Sequence, residues 1–146
     1  ALKLLYPEAA YSGVEINADA CKELTKIIGQ ENVFNGSIFN FPVVTKFDLS
    51  LIKGVLIHIN PDMLNKVYEK LYEASNKYIL VCEYYNPSPV KVSYRGHKDR
   101  LFKRDFAGEL MERYSDLILV DYGFVYRKDP VFPQDDVTWF LMKKGI

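Results

Sequence analysis

The chain has 146 residues, of which 49% are hydrophobic and 26% charged, a balance that suits one globular domain with a buried core. Nineteen basic residues offset nineteen acidic ones, and this neutrality argues against nucleic acid or an anionic membrane as a partner. No apolar run approaches the roughly 20 residues that span a bilayer, and no signal peptide is evident. Because Cys21 and Cys82 both fall inside predicted elements, we expect a reduced, cytoplasmic setting.

The first 42 residues predict a strand, a helix and a second strand after a short helical start. The expected elements are the end of a helix at 1–5, a strand at 11–16, an amphipathic helix at 18–28, and a strand with a turn at 32–36. Asn17 is a suitable N-cap for the longer helix, and Gly29 is a suitable end for it. Since the chain starts with Ala1 in what reads as the last turns of a helix, we expect a further segment to precede it.

The remaining residues predict strands that alternate with helices. The expected elements are a strand at 47–52, a helix at 61–75, a strand at 78–83, a long polar and aromatic connection at 84–104, a helix at 105–114, and strands at 117–124 and 137–142. Asn60 is placed to cap the first of these helices, with Pro61 in its first turn. The last two strands are joined by a segment that is too short for a crossover helix, so we expect them to pair antiparallel.

This order indicates an α/β sandwich with a mainly parallel sheet, in a single domain covering 1–146. In open α/β sheets, ligands bind beyond the carboxyl ends of the strands. Residues 53–60 directly follow a strand that reads as buried on both faces, so they should lie at the rim of a site.

Four parts of the sequence resemble class I S-adenosylmethionine-dependent methyltransferases. They are Gly13-Val14-Glu15-Ile16-Asn17, Asn35-Gly36-Ser37, Phe47-Asp48-Leu49 with Val55-Leu56-Ile57-His58-Ile59, and the two terminal strands. The resemblance covers nearly the whole chain. It implies a Rossmann-like sandwich with a C-terminal antiparallel hairpin, S-adenosyl-L-methionine as the cofactor, and methyl transfer to a small molecule or sugar.

A narrower resemblance is to the methylases associated with pseudaminic acid biosynthesis. The residues that carry it are Lys53 to Pro61, Glu83 to Pro87, Tyr94 to His97, and Leu101 to Phe106. This resemblance implies an acceptor that is connected with nonulosonic acid or surface-glycan assembly.

One feature of the methyltransferase family has no counterpart in this sequence. The family's glycine-rich loop follows its first strand and cradles the methionine part of the cofactor, whereas no Gly-x-Gly occurs here. We therefore expect the first strand and this loop to be missing from the chain. In the family that strand lies between the second and fourth strands. Its loss predicts either direct closure of the gap or pairing with another copy of the chain, which would form a homo-oligomer through exposed sheet edges.

The resemblance assigns cofactor contacts to two strand ends. Glu15, at the end of the first predicted strand, is expected to accept hydrogen bonds from both ribose hydroxyls, and Ile16 adjoins it in the same motif. The alternative is a solvated acid near a helix N-terminus. Gly36, Ser37 and Ile38 would flank the adenine, or they form an ordinary turn.

Catalysis of methyl transfer needs alignment of the reacting groups and exclusion of water, and it needs a base only for a weak nucleophile. The candidates for that base are Glu83, His97 and His58. The alternatives are that His58 packs in the turn before a helix and that Glu83 lies among packed aromatic side chains. Lys53 is expected to contact the cofactor carboxylate or an acidic substrate, unless it is a surface lysine.

Acceptor binding is expected to involve aromatic and basic side chains between 84 and 104. Tyr84 and Tyr85 could stack on a sugar face. Tyr94, Arg95 and Arg104 belong to a local basic cluster that could hold a carboxylate or phosphate, or that forms a solvated loop.

Several other residues were expected to have only structural roles. The two cysteines read as small core residues, Asp135-Asp136 as a solvated turn, and no metal site is expected. A functional alternative from a different class is a catalytically inactive methyltransferase-like module that binds or assembles other proteins. A nucleotide-binding reductase is a weaker alternative, since the terminal antiparallel hairpin suits it poorly.

Overall fold

The computed structural model describes residues 2–94 and 97–145, with the backbone only at 94 and 97–100. Two compact units make up the chain, Ala1–Pro42 and Val43–Ile146. No helix in the described part of the chain combines the length and hydropathy that are required to cross a membrane.

The first unit contains a parallel pair of short strands and the helix that connects them. Its elements are α1 (Leu2–Leu5), β1 (Gly13–Glu15), α2 (Ala18–Ile28) and β2 (Val33–Asn35), with 3-10 turns at Gln30–Asn32 and Ile38–Asn40. Strands β1 and β2 pair so that Glu15 lies opposite Asn35. The predicted strand–helix–strand order is confirmed.

Helix α2 begins and ends where its sequence signals predict. The Asn17 side chain accepts hydrogen bonds from the backbone N–H groups of Asp19 at 2.9 Å and Ala20 at 3.0 Å. Gly29 ends the helix with φ +89°, a conformation that L side chains rarely adopt. These two caps fix how the chain leaves β1 and returns towards β2.

The second unit is built on a four-stranded sheet. Its elements are β3 (Phe47–Lys53), α3 (Leu64–Ala74), β4 (Ser75–Glu83), β5 (Val90–Tyr94), β6 (His97–Lys103), α4 (Phe106–Arg113), β7 (Leu117–Val125) and β8 (Val137–Lys144). The strand order is β3-β4-β8-β7, with β3 and β4 parallel and the other two pairs antiparallel. The last strand thus lies inside the sheet, between β4 and β7. The expected α/β fold with a C-terminal antiparallel hairpin is confirmed.

Alternate residues of the inner strands and one side of each long helix form the core of this unit. Helix α3 contacts β3 and β4, and α4 contacts β4 and β7. The fully buried apolar side chains of the sheet include Ile79, Val81 and Met142, and the fully buried side chains of the helices include Val67, Tyr68 and Leu110. Burial of these apolar groups supplies the main driving force for the packing of helices on the sheet.

A buried polar cluster joins α3 to α4. The Tyr68 hydroxyl donates to Glu109 Oε2 at 2.8 Å, and Arg104 Nε donates to Glu109 Oε1 at 2.6 Å. Burial, followed by the hydrogen bond to the Glu109 carboxylate, raises the pKa of Tyr68 far above its usual range. The phenol therefore stays a neutral donor, and the cluster holds the start of α4 against α3.

The last strand is also tied to α3 by a lysine. Lys144 Nζ donates to the carbonyl oxygens of Tyr72 at 2.6 Å and Ser75 at 2.8 Å, and it lies 3.5 Å from the centroid of the Tyr72 ring. Carbonyl groups at the C-terminus of a helix have no partner within the helix. Here the Ser75 N–H already donates to the Tyr72 carbonyl oxygen, and Lys144 adds a second donor at this helix end.

The segment 84–104, which the sequence predicts to be a long polar and aromatic connection, contains two strands, β5 and β6, that form an antiparallel hairpin. Leu101 and Phe102 are buried, and β6 contacts the 3-10 turn at Leu56–His58. The run Val90-Lys91-Val92-Ser93-Tyr94 alternates apolar and polar residues, but His97-Lys98-Asp99-Arg100 does not, so the second half of the hairpin lacks the pattern that normally identifies a strand. Tertiary contacts decide the conformation of this segment.

The structure also bears on the expected gap next to the fourth strand of the family. Strands β1 and β2 form one sheet, and β3 is an outer strand of another. Direct closure of the gap stays a prediction. Formation of a homo-oligomer through the sheet edges stays a prediction.

The cap of α4 provides a test of the local structure. The Asp105 carboxylate accepts a hydrogen bond from the Gly108 backbone N–H at 2.8 Å in a partly buried position. We predict that Asp105→Ala lowers the free energy of unfolding by about 1 kcal/mol. Chemical denaturation would measure this change, with Glu112→Ala on the exposed side of the same helix as the control. Equal stability of the two variants would contradict the capping role.

Candidate functional site

A pocket of about 280 Å³ lies where β3 and β4 end. The two strands are parallel, so their carboxyl ends meet at one edge of the sheet, with Lys53 opposite Cys82. Polar side chains line the pocket at Lys53, His58, Cys82, Glu83, Tyr84 and Asp135. Apolar side chains line it at Ile57, Leu101 and Val137. The pocket therefore combines an apolar surface with several groups that donate or accept hydrogen bonds.

Four residues that the sequence analysis selected separately come together in this pocket. Lys53 ends β3, His58 ends the following turn, and Glu83 and Tyr84 stand at the end of β4. Their convergence follows from the parallel pairing of β3 with β4 and agrees with the expected rim at 53–60.

Gly54 makes the turn that follows β3. Its N–H donates to the Cys82 carbonyl oxygen at 3.0 Å, which extends the ladder between the strands by one more bond. Its φ of +64° lies in the left-handed region, which favours glycine over residues with a side chain. The chain therefore reverses sharply here and enters the 3-10 turn Leu56–His58.

The Glu83 carboxylate accepts hydrogen bonds from the backbone N–H groups of this turn. Its Oε1 accepts hydrogen bonds from Val55 N–H at 2.9 Å and Leu56 N–H at 3.0 Å, and its Oε2 accepts one from Ile57 N–H at 3.5 Å. The residue is only 3% exposed. A carboxylate in this position is an acceptor of hydrogen bonds from the protein itself.

Burial raises the pKa of Glu83 above its usual value, while the three backbone N–H groups and the nearby His58 act in the opposite direction. A carboxyl group with a raised pKa in the folded state stabilises the fold most below its unfolded pKa, and this contribution is lost as pH rises through the folded pKa. The stabilisation that Glu83 contributes to the folded state should therefore decrease as the pH rises through the folded-state pKa.

The connection between β7 and β8 forms another wall of the pocket. Asp135 and Val137 line it, and Lys53 Nζ donates to the Gln134 side-chain oxygen. Asp136 has a positive φ of 55°, and its carboxylate accepts from Arg127 N–H at 3.0 Å. The interpretation of Asp135-Asp136 as a solvated turn is therefore incomplete.

Two pocket residues were missed because their sequence signals are indirect. Asp135 precedes the strand that pairs antiparallel with β4, with Glu83 opposite Thr138, and this register brings the start of β8 to the pocket. Cys82 precedes Glu83 at the end of β4. It was predicted to be a core residue, but it is only half-buried and lines the pocket. The order of strands in the sheet would have identified both.

Two predicted acceptor residues lie outside the pocket lining. Tyr85 packs against Phe140, with ring centroids 5.6 Å apart. Arg104 forms the ion pair with Glu109, and both side chains are about three-quarters buried. Tyr84 lines the pocket, and Lys103 Nζ lies 5.0 Å from the centroid of its ring.

Three other predicted residues fall in the hairpin, where description is limited. Arg95 lies outside the described residues. Tyr94 and His97 are described by their backbone only, as register partners at the tip of β5 and β6. Their roles stay predictions.

The predicted cofactor residues of the first unit lie together at the ends of β1 and β2. Glu15 Oε1 accepts from Asn17 N–H at 2.8 Å, and the Glu15 carbonyl oxygen accepts from Gly36 N–H at 2.9 Å. Among the described residues, no hydrogen bond reaches Glu15 Oε2, and the residue is partly exposed. The carboxylate is thus oriented by one oxygen and can accept hydroxyl donors with the other.

The turn after β2 has a defined local geometry. A Cβ at Gly36 would lie 2.7 Å from the Phe34 ring, so the ring restricts this position to glycine. Ser37 caps the following 3-10 turn by accepting from Phe39 N–H at 3.3 Å, and Ile38 begins that turn. Ile16 is 73% exposed beside Glu15. The turn thus lies beside the partly exposed Glu15, whose carbonyl oxygen it binds through Gly36 N–H.

The strand order, the internal position of β8 and the pocket at the carboxyl ends of the parallel strands define a class of protein. The chain has the fold of the class I S-adenosylmethionine-dependent methyltransferases, with a mixed α/β sheet and a C-terminal antiparallel pair. The fold implied by the sequence resemblance is therefore confirmed.

Solved structures with this fold match almost the whole chain at low sequence identity. One is 1,6-didemethyltoxoflavin-N1-methyltransferase of Burkholderia thailandensis with bound 1,6-didemethyltoxoflavin and S-adenosylhomocysteine, with a TM-score of 0.73, 16% identity, and coverage of 99% of this chain and 65% of that one. Another is an O-methyltransferase from a trans-AT PKS multienzyme of Brevibacillus brevis in complex with S-adenosylhomocysteine. Its TM-score is 0.71, its sequence identity is 15%, and the match covers 99% of this chain and 61% of that one. A third is a SAM-dependent methyltransferase from Archaeoglobus fulgidus, with a TM-score of 0.67, 15% identity, and coverage of 98% of this chain and 80% of that one.

This chain spans less than two thirds of the length of the first two of these proteins. No protein-family model matches the chain, and no curated protein matches it significantly. The similarity therefore establishes the fold.

The thiol of Cys82 can report on the charges of the pocket. Burial raises its pKa, Lys53 lowers it, and Glu83 raises it. We predict that Glu83→Gln moves the midpoint of the pH profile for alkylation of Cys82 to lower pH, and that Lys53→Gln moves it to higher pH. Mass spectrometry of the alkylated peptides would measure Cys82 separately from Cys21. Shifts of the same sign in both variants would contradict this electrostatic arrangement.

Proposed function

We propose that the protein is an S-adenosylmethionine-dependent methyltransferase that acts on a small-molecule or sugar acceptor. The observation that carries this proposal is the pocket at the carboxyl ends of β3 and β4, which combines a lysine, a histidine and a tyrosine within a class I methyltransferase fold. Two matching structures contain S-adenosylhomocysteine, the product that remains after methyl transfer. A neutral chain favours such acceptors over nucleic acid.

The nucleoside half of the cofactor is assigned to the first unit. Glu15 would accept the ribose hydroxyls, because a neighbouring N–H already orients its carboxylate. Gly36, Ser37 and Ile38 would contact the adenine through the turn that follows β2, with Ile16 beside them. Lys53 would bind the carboxylate of the cofactor or of an acidic acceptor.

The acceptor is assigned to the pocket of the second unit and to the hairpin beside it. Tyr84 offers an aromatic face and a hydroxyl to a sugar ring, and Asp135 offers a carboxylate to a hydroxyl or amine. Tyr85, Tyr94, Arg95 and Arg104 remain candidates from the sequence for the outer part of the acceptor. The residues that resemble pseudaminic acid-associated methylases support a nonulosonic acid or surface-glycan precursor as the acceptor.

The chemistry requires few covalent contributions from the protein. Bound S-adenosylmethionine supplies a methyl group on a positively charged sulfur. The pocket aligns the acceptor with that methyl group and excludes water. His58 would take the proton of a hydroxyl acceptor, with the methyl group supplied by the cofactor; His97 is the second candidate for this base.

A catalytically inactive binding module is the second candidate function. The observation that favours it is the absence of Gly-x-Gly from the 146 residues, since the family's glycine-rich loop holds the methionine half of the cofactor. Binding of the cofactor product to this chain distinguishes the two functions.

The proposal is tested by calorimetric titration of the chain with S-adenosylhomocysteine. We predict one site per chain and a Kd about 10- to 100-fold higher for Glu15→Ala, because hydrogen bonds to a charged carboxylate are lost. Glu23→Ala is the matched control, since Glu23 is an exposed acid of α2 that pairs with Lys26. Equal affinity of the Glu15 and Glu23 variants would contradict the ribose assignment, and no binding by the unmodified chain would favour the inactive module.

A further inference from the structure

The turn after β3 lacks a cap of its own. Val55 precedes the 3-10 turn Leu56–His58, and its apolar side chain makes no capping hydrogen bond. The first N–H groups of a helical turn have no acceptor within that turn. Since Leu56 is fully buried and Ile57 is 5% exposed, water is not a ready substitute. The turn therefore needs an acceptor from elsewhere in the protein.

Glu83 supplies that acceptor from the neighbouring strand. Its Oε1 lies 2.9 Å from Val55 N and 3.0 Å from Leu56 N, so one oxygen binds both N–H groups. Its other oxygen is 3.5 Å from Ile57 N, a weaker contact. A carboxylate at the start of a helical turn is also favoured by the partial positive charge there.

The capped turn forms one wall of the pocket. Gly54, Ile57 and His58 all line the pocket, and all belong to or adjoin the segment that Glu83 holds. Loss of the carboxylate would leave buried N–H groups without an acceptor, which costs more than the hydrogen bonds themselves contribute. The turn would then move, and His58 would move with it.

We propose that Glu83 is a positioning residue that caps the turn at 54–58 from the adjacent strand and thereby sets the location of His58 in the acceptor pocket. This role replaces the expectation that Glu83 takes a proton from the acceptor, because both of its oxygens face backbone donors. The inference rests on the proposed function only where it calls the pocket an acceptor site. The capping itself is independent of any reaction.

Substitution by glutamine separates positioning from proton transfer. In Glu83→Gln the amide oxygen can occupy the place of Oε1 and keep the bonds from Val55 and Leu56, while the amide cannot act as a base. In Glu83→Leu the volume is similar, but no acceptor is left. Glu109→Leu is the matched control, since it removes a partly buried carboxylate from the same unit at a site that bonds Tyr68 and Arg104.

The primary measurement is amide hydrogen exchange at Val55 and Leu56 by NMR, with Ile79 and Met142 as reference amides in the sheet core. We predict that Glu83→Leu speeds exchange at the two turn amides by about tenfold or more relative to the reference amides. Glu83→Gln should restore most of the protection, and Glu109→Leu should leave the two turn amides unaffected. Unchanged protection in Glu83→Leu would overturn the proposal.

Two further measurements keep the test decisive. If Glu83→Leu does not fold, Glu83→Asp takes its place, because its carboxylate is one methylene shorter and should lose contact with the turn amides selectively. Once an acceptor is known, the kcat of Glu83→Gln distinguishes the two roles: a loss as large as that of the leucine variant, with the turn amides still protected, would make Glu83 a base. Failure of S-adenosylhomocysteine to bind would reject the proposed function and leave the exchange result standing.

Discussion

The parallel pairing of β3 with β4 is the constraint on which the pocket depends. It brings Lys53 level with Cys82, so the residues that follow each strand emerge at the same edge of the sheet. The bond from Gly54 N–H to the Cys82 carbonyl oxygen continues this pairing into the turn, and the Glu83 carboxylate extends it to the next residues. The wall of the pocket is thus held to the end of the sheet by one backbone hydrogen bond and by bonds to a side-chain carboxylate. A site built in this way inherits the rigidity of the strands.

Local signals in the sequence were sufficient for most of the elements. Asn17 and Gly29 mark the two ends of α2 because capping and left-handed backbone are chemical properties of those residues. The hairpin at 90–103 escaped prediction because the polar run at 97–100 has no apolar alternation, and its buried residues Leu101 and Phe102 depend on contact with a distant turn. Where long-range packing decides the conformation, a local pattern cannot supply it.

The candidate site shows the same division between local and long-range information. Lys53, His58, Glu83 and Tyr84 were identified because they follow predicted strands, and the sheet brings them together. The sequence did not predict which groups the site residues and their neighbours contact. That Arg104 pairs with Glu109, and that the Glu83 carboxylate faces backbone donors, depends on the packing of α4 and on the path of a turn. Asp135 reaches the pocket only because β8 lies next to β4.

The internal position of β8 has a consequence for how the second unit folds. Strand β8 pairs on both sides, with β4 through Tyr78–Lys143 to Glu83–Thr138 and with β7 through its whole length. Until residues 137–144 are available, β4 and β7 have no common partner, and a ribosome-bound chain would expose two unpaired strand edges. Completion of the sheet must therefore wait for β8, whose pairing with β4 joins residues that are far apart along the chain, a feature that slows folding. The Lys144 contacts then join the end of β8 to the end of α3.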